Sequence, residues 1–104
     1  MRKAKIYVKG VEAGTLTELH QGKDYLFEYL DEYEGLEVSR TMSKNVKVYK
    51  FDKFPPFFDG LLPEGIQLDG LLEIKKIDRK DHFSQLIAVG DDMVGVVTVK
   101  EIAE

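Results

Sequence analysis

The chain has 104 residues, of which 43% are hydrophobic and 33% charged, with a formal net charge of −4; this is the make-up of one folded domain with its own core, not of a disordered segment. The absence of cysteine excludes disulfides and thiolate metal ligands, and the acidic balance speaks against nonspecific nucleic-acid binding through bulk charge. Neither a signal-peptide h-region nor an apolar run of membrane-spanning length is present, so no membrane association and a cytoplasmic location are expected.

Residues 3–8 predict a first strand, with Ala4, Ile6 and Val8 on one face and Lys3, Lys5 and Tyr7 on the other. Residues 10–14, bounded by Gly10 and Gly14, read as a turn. Residues 15–19 follow as a second strand, which makes a hairpin with a longer loop. After a turn at 20–24, residues 25–30 predict a third strand whose Tyr25, Phe27 and Tyr29 share a face, as suits a pleated surface. Residues 31–35 are an acidic loop or a single helical turn. Residues 36–39 predict a short edge strand, 41–45 a polar loop, and 46–51 a further strand.

Residues 54–66 concentrate the constraints. All three prolines lie there, with two glycines and the apolar cluster Phe54, Phe57, Phe58, Leu61 and Leu62. Pro55 and Pro56 suit the first turn of a short helix. Gly60 is expected to close it in the left-handed region, and Pro63 to open a second helix with Glu64 near its positive end. Ile66, Leu68, Leu71, Leu72, Ile74 and Ile77 then fit helical spacing. Gly70 weakens that helix by about 1 kcal/mol relative to alanine, which often marks close packing. Asp78 is the expected N-cap of another helix, with Asp81 three residues on; Phe83, Leu86 and Ile87 form its buried stripe, and Gly90 is its C′ residue. Asp91 and Asp92 make a turn. The near-continuous apolar run 93–99 predicts a central last strand covered on both sides, with Gly95 a bulge or close-approach point. The sum is an α+β fold: an antiparallel hairpin and meander, two or three helices packed on it, and a closing C-terminal strand.

Chemistry is hard to find. His20 and His82 lie in different elements without a third nitrogen or sulfur ligand, so no zinc site is expected. The acids Asp31, Glu32 and Glu34 and the pair Asp91–Asp92 lack calcium-loop spacing and read as solvated turns. Ser39, Thr41, Ser43 and Ser84 sit in no nucleophile elbow, and no phosphate-binding glycine motif is present. Lys75, Lys76, Arg79 and Lys80 form a small basic cluster that reads as a solvated helix face. No catalytic residue, metal ligand or cofactor is assigned, and the chain is expected not to be an enzyme.

Four blocks together carry a resemblance: Gly14-Thr15-Leu16; Phe27-Glu28-Tyr29; Phe57 to Gly65, with Phe57-Phe58 leading into Leu61-Leu62-Pro63-Glu64-Gly65; and Leu86 to Asp92 followed by Gly95 to Val99. The chain resembles the N-terminal subdomain of HipA-type toxin kinases, over nearly its whole length, as a single domain at 1–104. The resemblance implies a subdomain packed on a serine/threonine kinase with a helix-turn-helix antitoxin as a further partner. The kinase's own ATP-binding and catalytic motifs have no counterpart here. The chain thus looks like the stand-alone HipS-like small subunit of a split HipBST-type toxin-antitoxin system. That implies a noncatalytic antitoxin or regulatory subunit that binds and restrains a HipT- or HipA-like kinase and, through it, meets a HipB-like protein without touching nucleic acid itself. The alternatives are a piece required in trans for kinase activity or assembly, and a domain of a full-length HipA-like kinase. The expected partner-binding residues are Phe58, Leu62, Pro63, Glu64, Gly65 and Ile66. Split-type small subunits can carry a large aromatic just after Pro-Glu-Gly, where this chain has Ile66 and, throughout, no tryptophan.

Overall fold

The computed structural model describes residues 1–91 and 96–102. Strands β1 (Arg2–Val8), β2 (Val11–His20), β3 (Lys23–Tyr29) and β4 (Val48–Phe51) form an antiparallel meander, and β5 (Val97–Ile102) returns antiparallel to β1. The order across the sheet is β4-β3-β2-β1-β5. Helices α1 (Pro56–Asp59), α2 (Gly65–Lys75) and α3 (His82–Val89) fill the chain between β4 and β5. This is the expected α+β architecture with its closing strand, carrying three helices.

The inward face is set by alternation. Ala4, Ile6 and Val8 of β1, Leu16 of β2 and Tyr25, Phe27 and Tyr29 of β3 are all buried. Phe54 meets Tyr25 edge-on at 5.3 Å between ring centroids, and Phe58 packs on Phe27 at 6.0 Å. Phe83 and Leu86 of α3 complete the layer without any exposed surface. Burying each such side chain contributes about 2 kcal/mol.

The first hairpin is tighter than the sequence suggested. Lys9 (φ 51°) and Gly10 (φ 79°) form a two-residue turn, with Val8 opposite Val11. Two successive positive φ angles match the twist of the flanking strands, so no longer loop is needed. Residues 11–14 are therefore strand, interrupted by a bulge: Ile6 faces Gly14 and Tyr7 faces Glu12, which leaves Ala13 as the extra residue.

Residues 36–39 form no strand. Only an isolated bridge joins Ser39 to Met42. The loop is held instead by the buried Tyr29 hydroxyl, which donates to the Met42 carbonyl and accepts from the Val38 N–H. The next strand begins at Val48, not at residue 46.

Helix boundaries depart from expectation at three caps. Gly60 has φ −65°, so it continues the right-handed turn of α1. Pro63 precedes α2, whose N-cap is Glu64. Asp81, not Asp78, caps α3 and accepts the Ser84 N–H; Asp78 closes the preceding turn by accepting from the Lys80 N–H.

Gly90 also stays right-handed, at φ −54°. Its requirement is space: a Cβ there would lie 2.2 Å from the Val99 carbonyl oxygen. The closeness lets Gly90 O accept the Val99 N–H at 3.1 Å. β5 pairs with β1 alone, so it is an edge strand and not a central one. Its apolar character comes from Val97 and Val99 facing the core, and its outer edge is partly occupied by Gly90. Residues 93–95, including the expected bulge at Gly95, lie outside the described residues, as does Asp92.

Gly90→Ala is expected to destabilise the fold by roughly 1–3 kcal/mol, the usual cost of forcing a group into a filled site. Urea denaturation of the variant beside the parent checks this, with no change in m expected.

Candidate docking surface

The 54–66 stretch is a rigid corner built from beneath. Phe58 has no accessible surface; its ring packs between Phe27 and Phe57, 5.2 Å from the latter. It therefore carries the corner and does not face a partner directly. Backbone bonds from Asp59 to Pro55, Gly60 to Pro56, Leu61 to Phe58 and Leu62 to Asp59 wind the chain tightly out of α1. Leu62 and Pro63 are half-buried, Glu64 and Gly65 are exposed, and Ile66 is 89% exposed. Of the six expected residues, the structure sets Leu62 to Ile66 along the outside of one corner, over Phe58.

The sequence pattern beyond Ile66 is helical, as its spacing predicts, but α2 has no buried residue. At 100° per residue, Leu68, Leu71 and Leu72 share one side and are half-buried. Ile66, Gly70 and Ile74 follow at four-residue intervals on the opposite side and make a single ridge. Ile74 is 78% exposed. A Cβ built on Gly70 would meet nothing within 4 Å, so no close packing among the described residues explains this glycine. α2 thus turns its leucines towards its own chain and leaves Ile66 and Ile74 exposed. Ile74 was missed as a surface residue because periodicity reveals an apolar face without revealing what covers it.

The densest polar cluster lies elsewhere, at the end of the sheet. Arg2 donates to Glu18 Oε1 at 2.7 Å, to Asp81 Oδ1 at 2.8 Å and to Ser84 Oγ at 2.7 Å. Its guanidinium lies 4.9 Å from the centre of the Phe83 ring. Glu18 is only 4% exposed and also accepts from the Tyr25 hydroxyl at 2.9 Å. Ser84 Oγ donates in turn to Asp81 Oδ2. Each polar group in the cluster is already partnered, and Ser84 has no base free to activate it, so the arrangement is a clamp and not a reacting centre. Burial pushes the Tyr25 phenol up, assisted by Glu18. Burial opposes the Asp81 charge, but hydrogen bonds from Arg2 and Ser84 prevail and hold its carboxyl below the usual range.

The remaining candidates stay apart. His20 pairs with Asp24 at 2.8 Å on the surface, while the His82 ring lies 5.4 Å from that of Phe54. Among the described residues, no group of three His, Cys, Asp or Glu side chains could hold a metal ion. Within the basic cluster, Arg79 reaches back to Asp69 on α2 and Lys76 closes that helix at φ 56°. No helix among the described residues is long and apolar enough to cross a membrane.

Because the folded Asp81 value lies below the unfolded one, its stabilisation is complete above the unfolded carboxylate range and is lost as pH falls through the folded value. The stability gap between parent and Asp81→Asn is therefore expected to narrow between about pH 5 and pH 2. Arg2→Met, which strands the buried Glu18 carboxylate, should cost about 3 kcal/mol at neutral pH. Urea midpoints measured from about pH 7 down to about pH 2 test both.

Comparison with known proteins gives a consistent picture. The family model described as the HipA N-terminal domain matches residues 4–100. An uncharacterized protein of Haemophilus influenzae is 30% identical over 101 residues, spanning 97% of this chain and 93% of its own length. A solved structure described as the N-terminal domain of HipA toxin superposes with a TM-score of 0.78 at 28% identity, covering all of this chain and 95% of that one. The corner, the capped α3 and residues 97–100 of the closing strand lie inside the matched span, and the chain belongs to the HipA N-terminal domain family.

Proposed function

We propose that this chain is a noncatalytic docking subunit that binds a HipA- or HipT-type serine/threonine kinase and restrains it, in the manner of the small subunit of a split toxin-antitoxin system. The observation that carries the reading is the bare corner at Ile66. In a chain of this family, an isoleucine 89% exposed at the start of a helix without buried residues marks a face made to be covered. Pro63 and the α2 start fix the backbone there, so little conformational entropy is lost on binding. Ile66 supplies apolar burial, and exposed Glu64 offers a carboxylate to a basic group of the kinase. A HipB-like helix-turn-helix protein would be met through the kinase and not through this chain.

Ile66→Asp should leave the fold intact, since the side chain touches little of its own chain, and should weaken kinase binding by at least about tenfold, or 1.4 kcal/mol. Calorimetric titration of the purified kinase with parent and variant measures this; equal affinities would remove the corner from the mechanism. In the same mixtures, kinase autophosphorylation is expected to fall on addition of the parent chain. A rise would favour the reading in which this piece is required in trans for activity.

A further inference from the structure

We propose that the open edge of β4 takes up an extended acidic segment of a partner protein as a further strand of the sheet. Hydrogen bonding fixes which groups are free. Leu30 donates to Ala13 on the β2 side of β3, and Tyr29 donates to Lys47 on the β4 side. Backbone groups point alternately to the two sides of a strand. With Phe27 opposite Tyr49 and Tyr25 opposite Phe51, the odd-numbered residues of β4 bond to β3. The ladder ends at Asp24, whose left-handed φ of 58° turns its N–H to the Asp52 carbonyl. Val48 and Lys50 therefore turn their N–H and C=O groups outward, where β4 has no neighbouring strand among the described residues. The other edge of the sheet differs, because Val99 of β5 already donates to Gly90.

Charge selects the occupant. Residues 44–53 hold four lysines (44, 47, 50 and 53) and one acid, Asp52, a net +3 in a chain whose total is −4. Lys47, Lys50 and Lys53 are exposed, and none of the four lysines is ion-paired among the described residues. Glu28 faces Val48 from β3, one strand spacing of about 4.8 Å further from an incoming strand. A second copy would bring this net +3 segment against an identical one, and like charges across a strand pair repel. The lysines that keep like edges apart favour an acidic strand in their place. A nucleic acid could meet the lysines but has no amide ladder to match Val48 and Lys50, whereas an extended peptide has both. The edge shares no residue with the Ile66 corner, and the proposal does not rest on the kinase reading.

Nuclear magnetic resonance of the isotope-labelled chain tests the proposal. The probe is a capped peptide of alternating glutamate and valine, about nine residues long, added up to about 1 mM. Amide hydrogen exchange at Val48 and Lys50 is expected to slow at least about threefold, and a peptide of alternating lysine and valine should leave it unchanged. Lys47→Glu combined with Lys50→Glu should reverse that preference, with the circular dichroism spectrum unchanged. The acidic peptide with every amide N-methylated keeps its charge but loses its donors, and should bind at least about tenfold more weakly. Four outcomes would overturn the proposal: no slowing at Val48 and Lys50, equal binding of the N-methylated peptide, equal protection by a thymidine oligonucleotide, or protection that grows with chain concentration alone. Ile66→Asp is expected to leave peptide binding unchanged, so this reading and the kinase reading fail separately.

Discussion

The buried carboxylate of Glu18 is the constraint around which the polypeptide is arranged. A charge this far from water is tolerable only if it is fully paired. Arg2 from β1 and Tyr25 from β3 supply that pairing from the two strands that flank β2. Because Arg2 also grips Asp81 and Ser84, the same guanidinium joins the sheet to the N-terminus of α3. One row of the sheet thus fixes both strand register and helix position. Apolar packing alone would hold α3 against β5 without specifying where along the strand it stops. The clamp adds that position, since a one-residue slip would turn Glu18 outward and leave Arg2 facing Asp81 alone.

The molecule divides its hydrophobic surface unequally. α3 and α1 place Phe83, Leu86 and Phe58 wholly inside. α2, tethered between them, buries nothing completely. This helix contributes little to the stability of the isolated chain and leaves much apolar surface uncovered. Such a distribution is poor economy for a protein acting alone and sensible for one whose outer helix is completed by something else.

Much of the architecture could be read from residue order. Alternation at Ala4, Ile6 and Val8 and the aromatic face of β3 identified the core, and the prolines marked α1. The failures have physical causes. Gly14 and Gly90 look like turn and cap residues, but each is needed for close approach to a neighbouring backbone, and that approach depends on residues distant in the chain. The last strand resembled a central one because an apolar run records burial of one face as readily as of two. The clamp left one legible trace: Glu18 follows Leu16 on the inward register of β2, where an acid demands a partner. Finding Arg2 required the strand pairing, in which the two residues are directly opposed. The candidate corner was legible as a stretch of unusual residues, whereas the exposure of Ile74 further along α2 needed coordinates to show which side of the helix lies bare.

The pairing of Lys3 with Ile102 joins nearly opposite ends of the described chain. During synthesis the meander, α1 and α2 leave the ribosome well before β5 does. Until then the open side of β1 remains an unpaired edge, available to any strand that fits. Closing so long a loop is entropically costly and slow compared with forming the local hairpins. The nascent chain therefore passes through an interval with its sheet unfinished, during which a chaperone, or a neighbour made from the same messenger, has access to a surface that the mature fold conceals.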